Sequence, residues 1–153
     1  SDSRFVDSAN ADFGVLSGAA VLERNHFGRS PGGNVFLDGV LEGSHNYLSG
    51  GSVGTFRLTG RSVVRFNNNH ILNSGGFSVL AGLSSEPVPP HDFEGNYWGT
   101  TDTDQIDQWI LDENDEDGPG FAVVDYLPLA ESPIRSESTS FGELKSRFNS
   151  DRQ

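Results

Sequence analysis

The chain has 153 residues, with 10 basic against 22 acidic side chains, a formal charge of -12, and neither Cys nor Met. A length of this order suits one domain with one continuous core. The charge repels nucleic-acid phosphates and anionic lipid alike, and the lack of Cys excludes a disulfide framework, a thiol nucleophile and a Cys-based zinc site. The acidic balance fits a secreted protein or one adapted to high salt. Because Met is absent, we expect a matured product or, preferentially, a piece of a longer chain. The N-terminus SDSRFVDS lacks the basic start and apolar run of a signal peptide, and the uncharged stretch Gly14 to Leu22 is too short to span a bilayer.

In chain order, two registers of self-similarity emerge. Leu is followed two residues later by Gly at Leu16, Leu37, Leu58 and Leu80, at spacings of 21, 21 and 22. Asn precedes a ring and an apolar residue at Asn25-His26-Phe27, Asn46-Tyr47-Leu48, Asn69-His70-Ile71 and Asn96-Tyr97-Trp98, at spacings of 21, 23 and 27. One repeat before Asn25 lies Arg4-Phe5-Val6, a degenerate first unit. Each unit reads as short strands broken by Gly, Ser, Asn and Asp, with no helical period. At about 3.3 Å per residue, a unit of this length supplies three short strands and three turns. Hexapeptide coils repeat every ~18 residues and the Gly-rich calcium roll has its own signature, so neither fits.

The fold class expected is all-β: a single-stranded, right-handed parallel β-helix of about five coils, stacked unit on unit. In such a stack Leu16, Leu37, Leu58 and Leu80 form one inward column, and Val6, Phe27, Leu48, Ile71 and Trp98 form another. The Gly after each Leu is expected at positive φ. The Asn column supplies left-handed corners and amides that bond along the axis. Ser84 to His91, which contains three prolines, is expected to project as a rigid loop.

From Gly95 the chain reads GNYWGTTDTDQIDQWILDENDEDGPGFAVVDYLPL. The order Asn-Tyr-Trp-Gly-Thr, a short helix with spaced Ile, an Asp-rich loop and a Val-x-Tyr-x-Pro strand resembles the terminal coil of right-handed parallel β-helix repeat proteins of the pectate-lyase-like superfamily. That superfamily holds pectate lyases, polygalacturonases, alginate epimerases, phage tailspikes and non-enzymatic surface proteins, so the resemblance implies a fold and leaves the chemistry open. Read from the residues alone, the same segment is a cap. Ile106, Trp109 and Ile110 share one face of a short helix, and Thr101 with Asp104 forms its capping box. Residues 1–129 are thus expected to form the β-helix and its cap, and 130–153 a linker with a short helix over Ser140 to Phe148. No comparable cap precedes Ser3, so the N-terminal end is expected to meet upstream coils or a second chain.

Candidate sites follow from the alternation of strand side chains. Phe5, His26, Tyr47, His70 and Tyr97 form an outward ladder of rings suited to stacking on sugars. Val15, Phe36, Arg57 and Val79 form a second outward column, covered by the C-terminal tail or open to a partner. Asp38, Glu42, Arg57 and Arg61 are the best charged constellation for acid or base chemistry on a polysaccharide, although no lyase or hydrolase motif accompanies them. His26 and His70, two units apart, stand about 10 Å from each other, too far to share a metal. The run Asp112 to Gly118 places Asp112, Asp115 and Asp117 where a cation such as calcium could bind loosely, but an EF-hand register there ends on Val124, which cannot ligate. No cofactor is implied. The expected function is a non-catalytic extracellular module that binds a polysaccharide or cell-surface glycan or serves as an interaction domain. The alternative is the C-terminal portion of a polysaccharide-active enzyme with its catalytic coils upstream.

Overall fold

The structure, a computed structural model, describes residues 4–6, 13–28, 35–49, 55–73, 75–82, 88–115 and 122–134. Short β-branched and aromatic runs bounded by Gly, Ser and Asn form strands here, as such residues favour a pleated, half-buried surface. In order they are β1 (Arg4–Val6), β2 (Phe13–Glu23), β3 (His26–Gly28), β4 (Val35–Ser44), β5 (Tyr47–Ser49), β6 (Phe56–Leu58), β7 (Val63–Phe66), β8 (His70–Leu72), β9 (Val79–Leu80), β10 (His91–Asp92), β11 (Ile110–Leu111) and β12 (Val124–Asp125), with the helix α1 (Thr103–Asp107) before β11.

Every pairing among these strands is parallel. One sheet runs β1-β3-β5-β8, and the other runs β11-β9-β6-β4-β7-β10-β12 with β2 beside β4. β4 turns a corner partway, pairing β6 through Val35 to Leu37 and β7 through Val40 to Gly43. The result is a mostly β architecture whose parallel sheets curl until they nearly close.

The core is built of columns in register. Phe13, Val35, Phe56, Val79 and Ile110 form one; Phe27, Leu48 and Ile71 form another, with Trp98 beside Ile71. Phe56 packs its ring against Phe66 at 4.9 Å and Phe93 at 5.0 Å, all three fully buried. The expected leucine column holds only at Leu37 and Leu58. Leu16 falls opposite Asp38 and Leu80 opposite Arg57, each one position off, because β2 carries a register shift between Leu16 and Ala19 and Val79 takes the inward place in β9. Phe5, and not Val6, is in register with Phe27. Of the four corner glycines only Gly18 has positive φ, at 117°. At Gly82 the requirement is close approach: a Cβ would collide with the Leu58 carbonyl and the Thr59–Gly60 backbone.

The asparagine column stands, with one change of role. Asn25, Asn46, Asn69 and Asn96 are 4, 1, 0 and 0 % exposed. The left-handed residues are those just before them: Arg24 at φ 53°, His45 at 58°, Asn68 at 59° and Gly95 at 65°. That corner swings each Asn amide inward. Asn25 Nδ2 donates to Asn46 Oδ1 at 3.0 Å, Asn46 Nδ2 to Asn69 Oδ1 at 2.9 Å, and Asn69 Nδ2 to Asn96 Oδ1 at 3.1 Å. The backbone N–H of each of the first three donates to the same oxygen, at 2.9, 2.8 and 2.7 Å.

At the C-terminal end, α1 is capped by Asp102, whose side chain accepts from Gln105 N; the Thr101–Asp104 box does not form. Ile106 is buried, whereas Ile110 leaves the helix and pairs with Val79 in β11. Trp98 and Tyr126 meet edge to face at 6.3 Å, and Tyr126 Oη donates to Asp107 Oδ1 at 2.5 Å. The helix expected over 140–148 lies outside the described residues.

Replacing Asn69 by Ala strands the buried backbone N–H of Asn46 and takes the Nδ2 donor away from Asn96 Oδ1 and from the Gly43 and Asn67 carbonyls, while Asn46 Nδ2 keeps the Leu22 and Ser44 carbonyls. Asn69→Ala is therefore expected to cost about 2 kcal/mol, at roughly 1–3 kcal/mol per unsatisfied group. Urea unfolding measures this. A loss below about 1 kcal/mol, the worth of one ordinary hydrogen bond, would mean the ladder is ornamental.

Candidate functional site

Strand alternation places one side chain of every unit outward just after its buried Asn. His26, Tyr47 and His70 are in register, and His70 bridges to Tyr97. Their ring centroids follow one another at 4.8, 5.7 and 5.5 Å, tilted by 56°, 39° and 65°. These are separations at which aromatic faces and edges attract. Tyr47 is the most open of the four, 36 % exposed. At the C-terminal end the strip is crossed by the chain: His70 Nε2 donates to the Ile134 carbonyl at 2.7 Å, and Ala130 N to the Asn96 carbonyl at 3.0 Å. Upstream, Arg4 is in register with His26 and Phe5 with Phe27.

The other outward column does not survive as expected. Val79 is fully buried, Val15 is in register with Leu37, and Phe36 is in register with Arg57, followed by Leu80. The segment 130–134 passes the ring strip instead.

The charged constellation supplies one ion pair of its own, Asp38 with Arg61. Asp38 accepts from Thr59 Oγ1 at 2.7 Å and from Arg61 at 2.7 Å, and these bonds hold its carboxyl below the usual carboxylate range. Glu42 lies around the corner, 3.5 Å from Arg65, and Arg57 stands in the row of Phe36 and Leu80. Asp38 and Glu42, the two carboxyls of that constellation, thus each meet a separate guanidinium, Arg61 and Arg65.

In the acidic run, Asp112 is 3 % exposed and accepts from Val124 N at 2.7 Å and Asn114 N at 2.8 Å, while Asp115 accepts from Asp112 N at 3.3 Å. These carboxylates tie the loop to β12. Asp117 lies outside the described residues, among which no group of three or more His, Asp or Glu could hold a metal ion.

Two features were not foreseen. A groove of about 320 Å³ runs over the outer face of β2, β4 and β7, lined by Val21, Glu23, Glu42, Ser44, Arg65 and Asn67. Its side chains come from columns, since Val21 pairs Glu42, Glu42 pairs Arg65, and Glu23 pairs Ser44. The signal was present in the sequence as the polar residues alternating with Leu22, Leu41, Val64 and Phe66, but it carries no motif. The second is His91, assigned to a projecting loop by its prolines. It lies instead in β10 opposite Val124, 1 % exposed, with neither ring nitrogen bonded.

No family model matches the chain, and neither a curated protein nor a solved structure does.

Burial lowers the His91 pKa from 6.5 to about 4. Above pH 6.5 the imidazole is neutral whether the chain is folded or not, and it contributes no pH dependence. As pH falls from 6.5 towards 4 the unfolded chain takes up a proton that the folded one refuses, so stability declines, and below 4 the loss levels off. The total is on the order of 3 kcal/mol. Urea unfolding at pH 7 and pH 4 should therefore show a markedly smaller acid loss in His91→Leu than in the unaltered protein; equal losses would place the imidazole in contact with water.

Proposed function

We propose that this chain is a run of coils from a right-handed parallel β-helix that works outside the cell as a non-catalytic binding module for a polysaccharide or cell-surface glycan. The all-parallel pairing of residues one repeat apart supports the β-helix reading, as does the resemblance of residues 95–129 to a terminal coil. The binding reading is carried by one observation, the strip His26, Tyr47, His70 and Tyr97 at near-constant spacing with Tyr47 open at its centre. A phenol offers a sugar an apolar face for its C–H groups and a hydroxyl for its oxygens. Repetition at strand spacing presents that chance along a line, which suits a polymer.

The test is retention on a panel of insoluble polysaccharides. Tyr47→Ala is expected to weaken binding about tenfold, equivalent to ~1.4 kcal/mol, with the circular dichroism spectrum intact. Unchanged binding by that variant would remove the strip from the ligand site.

The second reading, the C-terminal portion of a lyase, hydrolase or epimerase, draws on the Asp38 carboxyl held ionised beside Thr59 and Arg61. Incubation with the same panel separates the two. Unsaturated or reducing ends that disappear in Asp38→Asn would favour the enzyme, and binding without turnover favours the module.

A further inference from the structure

We infer that the groove over β2, β4 and β7 is a second glycan subsite, and that it selects an uncharged oligosaccharide. The inference rests on the glycan-binding reading and extends it to a surface on the opposite side of the corner formed by Arg24, His45 and Asn68. That corner separates the outward residues Glu23 and Ser44 from the rings of His26 and Tyr47, three positions further along.

The groove brings together what a sugar requires. Carboxylates, an amide and a hydroxyl alternate with a guanidinium, so acceptors and donors lie side by side along Glu23, Glu42, Ser44, Arg65 and Asn67. Glu42 and Arg65 hold each other at 3.5 Å while remaining 53 % and 70 % exposed, which leaves most of their hydrogen-bonding capacity to a ligand. Asn67 donates to Asp92 Oδ2 at 3.1 Å, which fixes its amide at the groove's edge. Apolar surface is at hand as well. Val21 is 68 % exposed in register with Glu42, and Val40 is 40 % exposed two residues before it. A pyranose uses both kinds of contact, hydroxyls at its edge and C–H groups on its face.

Charge selects the class. Glu42 lies 3.5 Å from Arg65 and Glu23 4.0 Å from Arg24, while Asp92 beside Asn67 has its register partner in Arg65 as well, so the groove has no surplus cation to hold an anionic sugar. The whole chain carries -12, and a polyuronate approaching it is repelled at every unit. A neutral glycan pays no such penalty.

Nuclear magnetic resonance titration of the full chain tests this, with xylohexaose, cellohexaose and mannohexaose as neutral probes, a chitosan hexamer as cation and hexagalacturonate as anion. At least one neutral hexamer is expected to shift the methyl signals of Val21, the Nε signal of Arg65 and the side-chain amide of Asn67, and Arg65→Ala or Glu42→Ala is expected to weaken its affinity at least fivefold. Both side chains are exposed, so neither variant threatens the fold. Shifts confined to His26, Tyr47 and His70 would overturn the subsite and leave the ring strip standing. A preference for hexagalacturonate or the chitosan hexamer would overturn the neutral class. Absence of any binding would overturn the subsite together with the function it extends.

Discussion

The asparagine ladder is the constraint on which the rest depends. A parallel stack must bring the chain around a tight corner once per unit, and that corner buries backbone N–H groups that no strand partner can reach. Each is satisfied by the amide oxygen of the next unit, which also accepts from the amide nitrogen above it. The series ends on Asn96, whose Nδ2 bonds to the Phe66 and Phe93 carbonyls. Because a buried unpaired donor costs about as much as several exposed contacts gain, the ladder permits only one vertical alignment of neighbouring units.

Alignment at one corner propagates to both faces. With the Asn residues superposed, the residue after each must point outward and the next inward. Hence the rings of His26, Tyr47 and His70 lie in one strip and Phe27, Leu48 and Ile71 in the column behind it. The same reasoning applies upstream of the corner, where Leu22 and Phe66 point in and Glu23 and Arg65 point out. The two candidate binding strips are therefore consequences of one hydrogen-bonded series.

The parts legible in the sequence are those this series governs. The spacings 21, 23 and 27 between asparagines reappear as hydrogen-bond separations, because the loops that lengthen a unit lie away from the corner. The leucine register failed for the converse reason. No side-chain bond locks it, so a bulge in β2 and a one-residue offset at Val79 could move Leu16 and Leu80 without breaking anything. His91 was hidden by three prolines that argue against a strand, yet it follows the last of them and β10 begins on it. Asp102 displaced Thr101 as helix cap because both fit the pattern, and only the backbone geometry chooses. The groove was illegible for another reason: its residues belong to three units, and no local motif joins Val21 to Glu42 and Arg65.

The same regularity bears on chemistry. Stacking places like positions above like positions, so a column collects side chains along a line. Asp38 with Arg61, and Glu42 with Arg65, show the local outcome, in which opposite charges from adjacent units neutralise each other. Such pairs contribute little to stability where water reaches them. They do leave rows of donors and acceptors that are paired yet still accessible. Where a carboxyl is buried, as at Asp112, its oxygens are spent on backbone N–H groups that anchor β12. The buried asparagines and Asp112 thus hold units together, whereas His91, equally buried, bonds to nothing through its ring.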